Sequence, residues 1–217
     1  MKGCVSMSVK ADLKKVKKWS APYEAEVQYK GQIVFFGASN FTRWSTEYGM
    51  KPLRECLLGK SGAPCVVNRG IGGSNTEHQL CAYPTLIRPL EPKVLVYSAG
   101  FGNGLSDGYS LEELWELAQR VLVYARTDFP DMPVYLCGST LNGKRGEEYL
   151  ENVKRWDAWL RDYAEKAPNC TFVDVAGCEA LQRMDIYVED RVHYNQEGYL
   201  LYEAFFKEVL KEELEQF

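Results

Sequence analysis

Few residues in this chain could carry out acyl-transfer chemistry, and their positions restrict how they could do so. Nucleophilic acyl transfer needs a hydroxyl exposed at a tight turn and a base to take its proton. It also needs an acid that fixes the tautomer of that base, and donors that meet the oxyanion. Ser39 follows an apolar run that closes on Gly37, which suits an exposed turn. The chain has only two histidines, His78 and His193. His193 has Asp190 three residues before it and precedes a helical pattern, so it is the better base, with Asp190 as its acid. His78 lies in Asn75-Thr76-Glu77-His78 and reads as a solvated histidine in the first turns of a helix, or as a pocket rim. The glycine-rich stretches Asn68–Asn75 and Gly100–Gly104 leave backbone N–H groups free to face an oxyanion, and Asn103 adds a side-chain amide. Trp44 and Phe101 could line an acyl pocket, though aromatics near a sheet edge more often belong to the core. Ser39 alone would read as a helix cap; the set of residues gives it a catalytic reading.

These side chains must be carried to one place. Five short runs are apolar on both sides and end in small or polar residues. They are Ile33–Phe36, Val66–Val67, Val94–Tyr97, Val134–Cys137 and Thr171–Val173, and they read as strands of a buried parallel sheet. Helical patterns alternate with them. Leu111, Leu114, Trp115, Ala118, Val121 and Leu122 form a stripe over 111–128. Val153, Trp156, Trp159, Leu160 and Tyr163 form another over 147–166. A last helix is predicted to open at Asn195 and turn Leu200, Leu201, Ala204, Phe205 and Val209 inward. Strands alternating with helices imply a doubly wound α/β domain over 31–217. In such a sheet ligands bind beyond the carboxyl ends of the strands, where Ser39, the stretches Asn68–Asn75 and Gly100–Gly104, and the Asp190–His193 segment fall. Residues 1–30 read as an N-terminal appendage, a short lysine-rich helix packing through Val9, Leu13 and Val16.

Composition removes several classes of function. A net charge of −4 disfavours nucleic acid as a partner. No apolar stretch approaches the ~20 residues of a membrane span. Seven scattered cysteines with no C-x-x-C pair suggest neither a disulfide framework nor a zinc site. Together with an N-terminus unlike a secretory signal, they point to a cytoplasmic protein. The dinucleotide fingerprint fails at Asn75 and at Leu105, which weakens the reading as a non-catalytic nucleotide- or ligand-binding flavodoxin-like module.

Four blocks resemble those of the SGNH/GDSL hydrolase family: Val34–Asn40, Asn68–Thr76, Tyr97–Asn103 and Asp190–Tyr199. The resemblance covers about 31–212 and is most specific in the last block. It implies a three-layer α/β/α, flavodoxin-like fold with a parallel five-stranded sheet. It also implies a serine ester hydrolase with Ser39, His193 and Asp190 as triad, and the Ser39 and Gly73 N–H groups and the Asn103 amide as oxyanion hole. No metal or cofactor is implied. The partner is a small-molecule ester, with acetyl on carbohydrate favoured by the short loops. An acyltransferase using the same triad is the alternative. Two positions depart from the family pattern. Its aspartate after the first glycine is Ala38 here, and its Gly-x-Asn-Asp block ends in Asn103-Gly104, one or two residues further from the strand.

Overall fold

A computed structural model of the protein describes residues 9–141 and 146–217; Cys4 lies outside them. The helices are α1 (Leu13–Glu24), α2 (Ser39–Thr42), α3 (Leu53–Cys56), α4 (Thr76–Leu86), α5 (Phe101–Ser106), α6 (Leu111–Asp128), α7 (Glu147–Lys166), α8 (Gln196–Val209) and α9 (Lys211–Leu214). The strands are β1 (Ile33–Gly37), β2 (Val66–Gly70), β3 (Val94–Tyr97), β4 (Val134–Cys137) and β5 (Cys170–Val173). They form one five-stranded parallel sheet in the order β2-β1-β3-β4-β5.

The sheet is apolar on both faces because side chains alternate along each strand. Val34, Phe36, Leu95, Tyr97, Val134 and Leu136 pack against α4, α6 and α7. Ile33, Phe35, Val66, Val94, Val96 and Val173 pack against α2, α3, α8 and α9. The result is the three-layer α/β/α arrangement expected. The chain leaves β1 first for β2 at one edge and then for β3 on the other side. The direction of winding therefore reverses between β1 and β3, where a crevice opens at the carboxyl ends.

The free edge of β2 is closed by side chains. The Val66 carbonyl accepts from Arg54 (2.9 Å), the Asn68 carbonyl from Arg69 (2.9 Å) and the Gly70 carbonyl from the Tyr23 hydroxyl. The Gly70 N–H donates to the Asn68 side chain at 2.9 Å. No carbonyl on that edge is left to recruit another strand.

Two apolar faces differ from expectation. In α1 Val16 is the one buried apolar residue (8% exposed), while Leu13 is 57% exposed. The contact face runs instead through Val16, Trp19, Ser20 and Tyr23 onto α4. In α8 the buried side chains are Tyr199, Tyr202 and Phe206, beside buried Gly198, and Leu200 is 66% exposed. Tyrosine rings take that face because they interlock with Trp44 and with Tyr194, an aromatic packing that a count of aliphatic residues does not register. Among the described residues no helix is long and apolar enough to cross a membrane.

Candidate active site

Ser39 opens α2 directly after β1, so its N–H precedes the first intrahelical bond and keeps no helical acceptor. Asp190 and His193 come from the loop after β5, just before Asn195 caps α8 by accepting from the Gly198 N–H at 3.0 Å. That loop turns sharply. Arg191 adopts φ 55, and one carboxylate oxygen of Asp190 accepts the Val192 and His193 N–H groups at 2.8 and 3.0 Å. The turn aims the other oxygen at the imidazole. His193 Nδ1 lies 2.6 Å from Asp190 Oδ2, and Nε2 lies 2.8 Å from Ser39 Oγ, bridging 154 residues of sequence.

This geometry fixes roles for the ring nitrogens. A carboxylate can only accept, so Nδ1 carries the proton and Nε2 presents its lone pair to the serine hydroxyl. Burial alone would raise the Asp190 carboxyl. The His193 ring and the two backbone N–H groups outweigh it and hold the carboxyl down at about 2. Asp190 is therefore ionised throughout the working pH range.

Ser39 faces a cleft of about 80 Å³ bordered by Ala99, Gly100, Phe101, Gly102, Asn103, Tyr149 and Val192. Asn103 is thus brought to the nucleophile. One N–H of its amide is spent on the Ser74 carbonyl at 2.8 Å; the amide has a second. Gly73 adopts φ 76 and is exposed, but it is not among the residues bordering this cleft. At Gly104 a Cβ would meet Leu114 Cδ2 at 2.2 Å, so a larger residue there requires the Leu114 side chain to move. Gly100 is more tightly constrained, since a Cβ would come within 2.4 Å of the Ser74 carbonyl, a backbone atom.

His78 is not the solvated histidine expected. It is 6% exposed, beneath the Trp19 ring, and burial lowers its basicity. Its Nδ1 accepts the Asn75 N–H at 3.2 Å while the Asn75 side chain accepts the His78 N–H at 3.0 Å, a reciprocal cap on α4. Phe101 and Trp44 are both buried; Phe101 also borders the Ser39 cleft, and Trp44 does not.

Two side chains outside the family-like motifs also touch the site. Fully buried Gln79 donates to the Ser98 carbonyl and accepts the Gly100 N–H, at 3.3 and 3.1 Å, so α4 holds the turn after β3. Arg43 lies 3.6 Å from Asp190 Oδ2. Its spacing of four residues from Ser39 is the one signal in sequence that could have marked it. Among the described residues no cluster of histidine, cysteine, aspartate or glutamate could hold a metal ion.

Comparisons with known proteins agree with this fold. No curated protein matches the sequence. Several solved structures share the fold. A GDSL-like lipase from Bacteroides thetaiotaomicron superposes with a TM-score of 0.68 at 18% identity, over 93% of this chain and 99% of its own. An acetyl xylan esterase does so with a TM-score of 0.68 at 20% identity, over 82% and 99%. A lipase/acylhydrolase from Enterococcus faecalis gives 0.64 at 18%, over 84% and 96%. The sequence profile of the GDSL-like lipase/acylhydrolase family matches residues 35–201, and this chain belongs to that family of carboxylic ester hydrolases.

Proposed function

We propose that the protein hydrolyses small acyl esters, acetyl groups on carbohydrate among them, through an acyl-enzyme on Ser39. The observation that carries this reading is the Ser39–His193–Asp190 relay at 2.8 and 2.6 Å. As Ser39 Oγ attacks the acyl carbon, its proton passes to His193 Nε2 and the carbonyl electrons move onto oxygen. Asp190 stabilises the imidazolium so formed. In this reading the oxyanion is received by the Ser39 N–H, the second N–H of the Asn103 amide and the Gly73 N–H. Collapse of the tetrahedral intermediate expels the alcohol, which takes its proton from His193. Water, activated by the same imidazole, then adds to the acyl-enzyme and releases the acid.

The acyl preference rests on size. About 80 Å³ is a few waters' worth of space, well below the ~300 Å³ at which pockets for larger ligands begin. The similarity in fold to an acetyl xylan esterase points the same way. The six described cysteines are unpaired, which fits a reducing compartment such as the cytoplasm. A series of p-nitrophenyl esters tests the acyl preference. kcat/KM is expected to fall at least tenfold from acetate to octanoate, and a series that rises with chain length would contradict it.

A further inference from the structure

We propose that Arg43 is a positioning residue that sets the pH range in which His193 takes the Ser39 proton, by holding a positive charge against the Asp190 oxygen that faces the imidazole. The inference rests on the Ser-His-Asp reading above. Its geometry follows from the brevity of α2. The Arg43 N–H donates to the Ser39 carbonyl at 2.8 Å, so Arg43 sits one helical turn after the nucleophile and on its side of the chain. From there its guanidinium comes within 3.6 Å of Asp190 Oδ2, the same oxygen that receives His193 Nδ1 at 2.6 Å. The Tyr48 ring lies 5.2 Å below the guanidinium and gives it a flat support.

At 3.6 Å the contact is ionic rather than a hydrogen bond. Asp190 takes its hydrogen bonds from its own loop, at Val192 and His193. Arg43 therefore acts on Asp190 through charge and not through a hydrogen bond, and the two effects can be separated. The other titratable neighbours are Glu189 and Arg191, beside Asp190 in the chain, Tyr48 under Arg43, and Tyr199 from α8. Burial holds the Tyr199 hydroxyl well above its usual range, and it donates to the Asn40 carbonyl at 2.8 Å, so it stays neutral. Among the described residues no other lysine or arginine pairs with Asp190.

A cation here opposes the positive charge that the imidazole would gain. Removing it lets His193 hold its proton to higher pH. The two contacts laid end to end put the cation about 6 Å or less from the ring, in a partly exposed setting. That predicts a displacement of about half to one pH unit. The test follows the rate at which a fluorophosphonate labels Ser39 in the full chain, from about pH 5 to about pH 9, for wild type, Arg43→Gln and Arg43→Lys. The midpoint of the acid limb is expected to rise by about half to one unit in Arg43→Gln and to return toward wild type in Arg43→Lys. A midpoint that stays or falls in Arg43→Gln overturns the inference, including the case where only the plateau drops, which would make Arg43 a packing residue. A wild-type Ser39 that resists labelling at every pH is a different failure, and it removes the hydrolase reading along with this inference.

Discussion

Replacing Asp190 with asparagine preserves its shape and changes one donor–acceptor pairing. The two oxygens of Asp190 have separate partners: Oδ1 holds the Val192 and His193 N–H groups, and Oδ2 receives His193 Nδ1. The new amide can satisfy only one set. If its oxygen turned to the imidazole, its NH₂ would face two backbone donors and strand them, at about 1–3 kcal/mol each. Keeping the oxygen on the backbone is cheaper, so the NH₂ meets Nδ1. Nδ1 must then become the acceptor, and the ring proton moves to Nε2, which points at Ser39 Oγ from 2.8 Å. The base then presents a proton where it needs a lone pair. The loss in kcat is expected to be about 10⁴-fold, or about 5 kcal/mol in the barrier, with KM changed little. Steady-state turnover of a p-nitrophenyl acetate substrate, with circular dichroism to confirm the fold, measures it. Turnover within tenfold of wild type in folded Asp190→Asn would refute the assignment of Asp190 as the acid.

Two further substitutions test the surroundings. Asn103→Ala is expected to lower kcat by about 10²–10³ with little effect on KM; a loss under tenfold would assign the oxyanion to backbone donors alone. Asp157, on α7, accepts the Ser139 N–H at 3.0 Å beside the cleft, and burial, reinforced by Asp174, pushes its carboxyl up to about 7. A carboxyl whose folded value lies above its unfolded one binds protons more tightly in the folded state. Its contribution therefore erodes stability as pH rises from about 4 to about 7, and the full penalty remains above that. Asp157→Asn keeps an acceptor for Ser139 and removes the charge. It should stabilise the protein by about 1–3 kcal/mol at pH 8 and hardly at all near pH 4, as read from urea midpoints at the two pH values. Equal effects at both would contradict the assignment.

Much of this arrangement was legible in sequence because strong local signals agree with it. β3, β4, α6 and α7 fall where the apolar runs and stripes put them, since a strand buried on both faces and an amphipathic helix leave distinct periods. The Asp190–His193 turn was legible because both groups lie in one short segment. What stayed hidden depends on partners distant in the chain. The α1 face was misread because Leu13 and Val9 have the right spacing but no surface to cover. His78 looked solvated because nothing local shows that Trp19 lies over it. The grip of Gln79 on Gly100 joins two motifs through a residue type that carries no motif itself.

The most direct test of the central claim is to treat the purified protein with a fluorophosphonate and locate the adduct by peptide mass spectrometry. A single stoichiometric adduct on Ser39 is expected; it disappears in Ser39→Ala and is lost or slowed by orders of magnitude in His193→Ala. Folded protein that leaves Ser39 unmodified, while a control serine hydrolase reacts under the same conditions, would contradict it.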